Sequence, residues 1–223
     1  MVTRIFITLL AAIFALPAEG SGYHCLQSGN IALEQGDEEG NALSAFMSRM
    51  ASSSAAFSYG YVVDDGRAKV TGDGTVVMQG ESYVVKGNGL EVYCDGQTRW
   101  TVDRESLEVV IESYDPENPD YTVNPAVLLR HFDKVFSVAG RTRTGSAYDY
   151  RLVPSSTETD ISEMGLKISE DGMHLVSASM KMKNGTAVSF TFPSFSFSPV
   201  PDVSCFSFDI SSLSSDYIIT DLR

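Results

Sequence analysis

The stretch Ser52–Val63, which reads SSSAAFSYGYVV, marks the point at which the apolar pattern of this 223-residue chain changes its period. Up to Met50, apolar residues recur at the three- and four-residue spacing of an amphipathic helix. Beyond it, Phe57, Tyr59 and Tyr61 alternate with small residues, and such alternation is typical of a half-buried β-strand. The stretch therefore predicts a helix that leads directly into a sheet.

Two amphipathic helices are predicted. The first covers residues 42–51 and follows Asn41, a residue type suited to capping a helix N-terminus. Its apolar face consists of Leu43, Phe46, Met47 and Met50. The second covers residues 125–136, because Asn124-Pro125 matches the cap and first-turn proline of a helix start. Its apolar stripe consists of Leu128, Leu129, Phe132, Val135 and Phe136.

Alternating runs recur at short intervals along most of the remaining chain. The runs that predict strands are 55–63, 68–78, 83–86, 90–93, 98–102, 107–114, 147–153, 165–169, 173–182, 186–192, 205–208 and 217–220. Turn signals separate many of them, namely Asp65-Gly66, Gly87-Asn88-Gly89, Asp95-Gly96, Asp171-Gly172 and Asn184-Gly185. Residues 193–201 (PSFSFSPVP) are bounded by prolines, which predicts an edge or crossover loop.

This pattern predicts a mainly β fold with a helical lid (α+β). We expect a large curved antiparallel sheet that forms an unclosed half-barrel of about eleven strands and is covered by the two amphipathic helices. A sheet of that size encloses more volume than two short helices fill, so an apolar cavity is expected beneath them.

The stretch Leu90–Trp100 (LEVYCDGQTRW) is predicted to be a hairpin with its turn at the Asp-Gly pair. A two-residue turn would place Glu91 opposite Trp100. A three-residue loop would instead place Glu91 opposite Arg99, and this register is favoured because opposite charges then pair on one face. The apolar face of the hairpin would then consist of Leu90, Val92, Trp100 and Val102.

Composition narrows the classes of partner. The chain is 43% hydrophobic, which is enough for a sizeable core, and its formal net charge is −13. Binding to nucleic acid is not expected, because phosphate contacts require clustered Lys and Arg. An acidic surface fits a basic patch on a protein partner better.

The N-terminus has the pattern of a targeting segment. Arg4 precedes the apolar run Ile5–Leu16, and small residues follow, so residues 1–20 are predicted to be a signal peptide cleaved after Ala18 or Gly20. Residues 21–40 are expected to be a flexible mature N-terminus. Residues 41–223 are expected to form a single domain. The predicted signal peptide implies that the chain is exported.

The sequence contains little that indicates catalysis. His24, His131 and His174 are not accompanied by a nucleophile motif, and no metal-ligand spacing is found, so neither an enzyme nor a metal or cofactor site is expected. The three cysteines are Cys25, Cys94 and Cys205. In an oxidising compartment they allow one disulfide and leave one free thiol. A disulfide between Cys94 and Cys205 is one of the alternatives.

Five segments follow one another in a recognisable order over residues 41–223. They are an amphipathic helix that runs into SSSAAFSYGYVV, the strand GDGTVVMQ, the hairpin VYCDGQTRWTVD, a helix that opens with NPAVLL, and a β-rich half that ends in FSFDISSLSSDYIITDLR. In this order they resemble the LolA family, the periplasmic carriers of outer-membrane lipoproteins.

The resemblance implies an unclosed half-barrel with a helical lid and a non-catalytic activity without a cofactor. Such a protein would take acylated lipoproteins or lipid from an inner-membrane lipoprotein-releasing ABC transporter and carry them towards the outer membrane. An outer-membrane receptor is a further partner that the resemblance allows. A monomer in the periplasm of a Gram-negative bacterium is expected. One departure is that Gly80-Glu81-Ser82 stands where family members carry an arginine that holds the lid shut.

The cavity and lid residues expected from the pattern and the resemblance together form one set. They are Leu43, Phe46, Met47, Met50, Phe57, Tyr59, Tyr61, Leu90, Val92, Trp100, Val102, Leu128, Leu129, Phe132 and Phe136. An alternative function on the same half-barrel is that of a sensor or regulator of the cell envelope that binds a lipid or a protein.

Overall fold

The structure is a computed structural model that describes residues 42–115, 135–155, 159–198 and 202–223. The predicted signal peptide (1–20), the predicted flexible segment (21–40) and residues 125–134 of the second predicted helix lie outside these described residues. Within them, the chain forms one α-helix and twelve β-strands. The structure therefore tests the first predicted helix and most of the predicted strands.

Helix α1 spans Ala42–Ser52, in agreement with its apolar stripe. The strands are β1 (Ser54–Asp64), β2 (Lys69–Gln79), β3 (Ser82–Gly87), β4 (Leu90–Cys94), β5 (Thr98–Asp103), β6 (Glu108–Ser113), β7 (Phe136–Thr144), β8 (Ala147–Pro154), β9 (Ile161–Ser169), β10 (Leu175–Met182), β11 (Ala187–Ser198) and β12 (Ile218–Asp221). Two 3-10 helices, Val203–Phe206 and Ile210–Ser212, lie between β11 and β12.

All twelve strands belong to one sheet in the order β12-β6-β5-β4-β3-β2-β1-β11-β10-β9-β8-β7. Every neighbouring pair is antiparallel except β12 and β6, which are parallel. The edge strands β12 and β7 are not paired with each other, so the sheet is not closed into a barrel. The prediction of a mainly β fold with an unclosed sheet is confirmed, and the strand number is twelve rather than about eleven.

The glycine-containing turns explain the regular hairpins. Between β3 and β4, Asn88 and Gly89 both have positive φ, at 53° and 79°. This is the backbone of a type I′ turn, whose twist matches that of the flanking strands, and Asn-Gly is its preferred sequence. The turn residues predicted from the sequence are therefore confirmed at this hairpin.

Two cross-strand pairs explain the glycines of β2. Tyr59 of β1 lies opposite Gly74, and Tyr61 lies opposite Gly72. A Cβ atom on Gly74 would lie 2.7 Å from the Tyr59 hydroxyl oxygen, and one on Gly72 would lie even closer to that of Tyr61. Each tyrosine ring thus lies across a glycine and shields the backbone, an arrangement known from other sheets as aromatic rescue.

The register of the β4–β5 hairpin differs from both predicted registers. Tyr93 lies opposite Trp100, and Glu91 lies opposite Val102. The turn has moved because the Asp95 carboxylate accepts hydrogen bonds from the amides of Gln97 and Thr98 at 2.9 and 2.8 Å. This side-chain turn centres the loop on Gly96-Gln97 instead of Asp95-Gly96.

The shifted register separates the apolar residues that were expected on one face. Because opposite residues of an antiparallel pair share a face, Trp100 and Val102 lie on one face, while Leu90 and Val92 lie on the other. The prediction that these four residues form a single apolar face is therefore wrong. Glu91 and Arg99 are also on different faces, so they do not form the expected ion pair.

The proline-bounded segment is a strand rather than a loop over residues 193–198. These residues continue β11, where they pair with β1. The register with β1 shifts between Ser58 and Gly60, so Pro193 lies at a bulge, where its missing amide proton disrupts no ladder bond. The alternating phenylalanines of the segment were the stronger signal.

One further strand prediction and one predicted helix end are corrected. Residues 205–208 were expected to be a strand, but Cys205 lies in a 3-10 helix that begins after Asp202, whose carboxylate accepts a hydrogen bond from the Ser204 amide. Phe136 was expected to end the second helix, but it begins β7 and is buried. A short apolar run does not distinguish these alternatives in sequence.

The two faces of the sheet are covered differently. Helix α1 lies on the face that carries Phe57, Val76 and Val85, which we call the helix-side face. The C-terminal segment, residues 202–217, contacts the other face, which we call the opposite face. There Phe208, Leu213 and Tyr217 pack with Trp100 against a small core of Val102, Val109 and Ile111. Each face therefore has its own apolar cluster.

Candidate functional site

The helix-side face contains a continuous aromatic cluster. Phe57 stacks on Phe195 with ring centroids 5.1 Å apart and ring planes 8° apart. Phe46 of α1 packs on the same Phe195 at 5.5 Å and on Phe197 at 5.8 Å. Since Phe46 is 0% exposed, it is the point at which the helix is anchored to the sheet.

The aromatic cluster continues along β1 and β11 beyond the helix anchor. Phe57 contacts Phe192, which contacts Phe190, and Phe190 contacts both Tyr59 and Tyr61 at about 6 Å. Phe190 and Tyr61 are only partly buried, whereas Phe57 is buried. The same apolar surface thus runs from beneath α1 to a more exposed region.

The tyrosines of this cluster remain protonated at neutral pH. Burial, with smaller contributions from Tyr61 and Asp73, raises the pKa of Tyr59 to about 12. Burial also raises the pKa of Tyr61, whose hydroxyl accepts a hydrogen bond from Asn88 Nδ2 at 2.7 Å. The rings therefore add neutral hydroxyls, not charges, to the apolar surface.

The half of the helix-side face formed by β7 to β10 supports the start of α1. The Leu43 amide donates to the Tyr150 hydroxyl at 3.1 Å, and Tyr150 is buried. The β9–β10 turn approaches the helix closely, since a Cβ atom on Gly172 would lie 2.7 Å from the Ala42 carbonyl oxygen. The buried aliphatic residues that these strands contribute to the main core are Leu152, Ile161, Met164, Leu166, Ile168, Leu175, Ala178 and Met180.

A polar group interrupts the apolar surface near β5. Arg99 donates two hydrogen bonds to Glu112 Oε2, at 2.8 and 3.2 Å, and both side chains are about one-third exposed. Cys94, opposite Arg99, is fully buried and free, and burial raises the pKa of its thiol to about 11. Cys205 is also free, so the Cys94–Cys205 disulfide is not formed.

The structure places many of the predicted cavity and lid residues together. Those on α1 or on the helix-side face of the sheet are Leu43, Phe46, Met47, Met50, Phe57, Tyr59, Tyr61, Leu90, Val92 and Phe136. Trp100 and Val102 belong instead to the cluster on the opposite face. Leu128, Leu129 and Phe132 lie outside the described residues.

The aromatic residues of β11 are not among the site residues predicted from the sequence. Phe190, Phe192, Phe195 and Phe197 contribute half of the aromatic cluster, but part of their segment was read as a loop because of Pro193. Their two-residue alternation on either side of Pro193 was the signal that identifies them. Tyr148 and Tyr150 of β8 were also missed.

One open recess of about 470 Å³ is found in the described part of the chain. Its lining includes Ser58, Thr75 and Lys86, which lie opposite one another across three strands and face away from α1. Tyr59 of the aromatic cluster also borders this recess. The apolar cavity expected under the two helices would include residues 125–134, which lie outside the described residues.

Metal-binding groups and membrane-spanning helices are absent from the residues that the structure describes. There, no three His, Cys, Asp or Glu side chains are grouped so that they could hold a metal ion. The single described helix, α1, is too short to span a bilayer.

Solved structures with the same fold are known, although no family model and no curated protein matches the sequence. An uncharacterized conserved protein from Thermus thermophilus superposes with a TM-score of 0.52 at 10% identity, over 81% of this chain and 96% of that one. Structural neighbours include a LolA superfamily protein. That protein, NE2245 from Nitrosomonas europaea, has a TM-score of 0.41 at 9% identity, over 74% and 97% of the two chains.

A further neighbour is a putative outer membrane lipoprotein-sorting protein domain from Vibrio parahaemolyticus. It superposes with a TM-score of 0.39 at 7% identity, over 76% of this chain and 96% of that one. At these identities the likeness concerns the fold alone.

Proposed function

We propose that the protein is a non-catalytic periplasmic carrier that binds the acyl chains of lipoproteins, or of other lipids, on the helix-side face of its sheet. The observation that carries this proposal is the aromatic cluster that extends from beneath α1 to the partly exposed Tyr61 and Phe190. An acyl chain has no polar atoms along its length, so a surface of this kind suits it.

The energetics support reversible binding. Burying an acyl chain gains about 0.8 kcal/mol per CH₂ group, so complete burial of several chains would prevent release. If α1 moves to admit a chain, the contacts of Phe46 are lost, which costs about 3–5 kcal/mol for a fully buried phenylalanine. About five buried methylene groups offset that cost. The helix contacts therefore hold the affinity within a range that permits transfer.

The partners follow from the same proposal. We infer that the cargo comes from an inner-membrane lipoprotein-releasing ABC transporter and that an outer-membrane receptor accepts it. The net charge of −13 supports docking to a basic patch on either partner. The predicted signal peptide supports export to the periplasm of a Gram-negative bacterium.

The test compares the two faces of the sheet. Phe190 and Phe208 are both partly buried, but Phe190 lies on the helix-side face and Phe208 packs on the opposite face. We expect Phe190→Ser to weaken binding of a fluorescent fatty-acid probe at least about tenfold, because a phenyl ring is worth roughly 1.5–3 kcal/mol of burial. Phe208→Ser should leave the affinity unchanged.

Both variants must first be shown to fold, by circular dichroism and thermal unfolding. Equal probe affinities in Phe190→Ser and the parent protein would contradict binding on the helix-side face. Absence of any probe binding to the parent protein would contradict lipid carriage. Mass spectrometry of lipids and lipoproteins that co-purify with the exported protein would then identify the cargo.

A further inference from the structure

A half-buried ion pair lies on the otherwise apolar helix-side face. Arg99 of β5 and Glu112 of β6 are directly opposite each other, and their side chains are 31% and 34% exposed. Arg99 Nη2 and Nε donate to Glu112 Oε2 at 2.8 and 3.2 Å. An ion pair of this kind adds little to stability, because the desolvation of two charges offsets most of their attraction. The pair is therefore a candidate for a role in ligand binding.

The strand register places this pair at the end of a cross-strand row that begins beneath α1. Phe197, which contacts Phe46 of the helix, lies at one end of the row, and Arg99 lies five strands away. The residues between them are buried, and each lies directly opposite the next: Ala55, Met78, Tyr83 and Cys94. The row is thus apolar apart from the Tyr83 hydroxyl, and it ends in a charged pair.

The length of the row suits one acyl chain. Neighbouring strands are about 4.8 Å apart, so the five intervals between Phe197 and Arg99 span about 24 Å. The hydrocarbon core of a bilayer is about 30 Å thick and contains two chains end to end, so one chain occupies about 15 Å. A chain whose head lies at Arg99 therefore fits within the row and points its tail towards α1.

Both partners of the ion pair retain hydrogen-bonding capacity. Arg99 has five N–H donors, of which Glu112 uses two, and Tyr83 is a further neighbour of the guanidinium. Both bonds to Glu112 reach Oε2, so Oε1 receives no hydrogen bond from the residues that the structure describes. The pair thus offers a donor and an acceptor, without net charge, at the end of the row.

We propose that Arg99 and Glu112 bind the head of an amide-linked acyl chain whose tail lies along this row towards α1. Arg99 donates to the amide carbonyl oxygen, and Glu112 Oε1 accepts the amide N–H. This assignment rests on the proposed binding of acyl chains to the helix-side face, and it adds the chemical class of the head group.

Other acyl head groups match the pair less well. An ester has acceptor oxygens but no donor, so Glu112 Oε1 would be desolvated without a hydrogen bond. A carboxylate or a phosphate would be attracted by Arg99 but repelled by Glu112. The formal net charge of −13 on the chain also disfavours an anionic head group. An amide is neutral and has both a donor and an acceptor, so it suits the pair best.

Competition binding measures this preference. A fluorescent fatty-acid probe on the exported protein is displaced by an N-methyl amide, a methyl ester, an alcohol or a free carboxylate of the same chain length. The amide should bind about tenfold more tightly than the ester, because it gains a hydrogen bond to a charged group. An ester or an alcohol that bound as tightly as the amide would overturn the assignment of the head group. Absence of any binding would instead contradict lipid carriage as a whole.

Glu112→Gln tests the role of the negative charge. The carboxamide keeps an acceptor oxygen, but Arg99 loses its counter-charge. The free carboxylate should therefore bind the variant at least about tenfold more tightly than it binds the parent protein. The affinity for the amide should change much less. Unchanged binding of the carboxylate would overturn contact between Arg99 and the head group.

Glu91→Gln is the matched control. Glu91 forms an ion pair with Arg104 at 2.9 Å, but it lies opposite Val102 on the other face of the sheet. Its substitution should leave the ratio of carboxylate affinity to amide affinity unchanged. An equal gain in carboxylate binding in Glu91→Gln and Glu112→Gln would reveal a general effect of net charge and would overturn the proposal.

Removal of the whole pair gives a second test that does not leave a charge unpaired. The double variant Arg99→Met with Glu112→Leu should fold, as circular dichroism can show, because apolar replacement of a buried ion pair is often neutral or stabilising. The amide and the ester should then bind with equal affinity. A purely structural pair would instead change the affinities of all ligands by the same factor, so a persistent preference for the amide would overturn the proposal.

Discussion

Replacement of Phe46 by alanine tests whether the anchor of α1 limits access to the aromatic cluster. Phe46 is 0% exposed and contacts Phe195 and Phe197, with ring centroids 5.5 and 5.8 Å away. Truncation of a fully buried phenylalanine costs about 3–5 kcal/mol, which includes the cavity that it leaves. Because the Phe46 ring belongs to α1 and its contacts are with the sheet, most of this lost free energy should appear as weaker attachment of α1 to the sheet.

Two measurements separate local from global effects. Hydrogen exchange of the α1 amides should accelerate by about 100-fold or more, because 3 kcal/mol corresponds to a factor of roughly 150 in an opening equilibrium. Exchange of the central β1 amides should change less. Binding of a fluorescent fatty-acid probe should become tighter, since a detached helix no longer competes for Phe57 and Phe195.

Met47→Ala is the matched control. Met47 lies on the same helix and packs against the same cluster, but it is only partly buried, so its truncation should cost less. If Phe46→Ala and Met47→Ala had the same small effect on α1 exchange, Phe46 would not be the anchor. Weaker probe binding in Phe46→Ala would refute competition between the helix and the ligand.

Three further predictions concern other parts of the fold. Gly74→Ala should destabilise the protein by about 1–3 kcal/mol in urea unfolding, since its Cβ would lie 2.5 Å from a carbonyl oxygen, whereas Gly140→Ala should be nearly neutral because the nearest atom is 3.9 Å away. Equal effects would contradict a close approach at Gly74. In the native state, a thiol reagent should modify the exposed Cys205 much faster than Cys94, whose pKa is raised to about 11 by burial, and rapid modification of both would disprove the burial of Cys94. Glu91 has a pKa lowered to about 2, chiefly by its hydrogen bond from Arg104, so its stabilising contribution of about 1–2 kcal/mol should be complete above pH 4.5 and disappear as the pH falls towards 2. Glu91→Gln should remove that pH dependence, and an unchanged profile would exclude Glu91 as its source.

Local patterns of sequence predicted much of the fold. The spacing of Leu43, Phe46 and Met50 predicted α1, and the alternation after Ala55 predicted β1, because both patterns reflect the period at which one face of an element meets the core. Asn88-Gly89 predicted its turn, because few residue pairs adopt positive φ twice. These features depend on neighbouring residues only.

The errors arose where distant residues or side-chain hydrogen bonds decide the outcome. The Asp95 carboxylate accepts two backbone amides, so the β4–β5 loop has the two residues Gly96-Gln97 instead of the favoured three, and this change places Trp100 and Val102 on the face opposite to Leu90 and Val92. Whether a strand can contain a proline depends on the partner strand beside it, which local sequence does not reveal. Pro193 was therefore predicted to lie in a loop. In the structure it lies at a bulge facing β1, and β11 continues through it.

The sequence by itself determined the elements: a helix with one apolar stripe, a series of alternating strands and the turns between most of them. Only the tertiary structure decided which apolar residues form one surface. The aromatic cluster combines residues of α1, β1 and β11 that are more than a hundred positions apart in the chain, and strand pairing alone brings them together. The reason is that alternation specifies two faces for each strand, whereas the register between strands specifies which faces coincide.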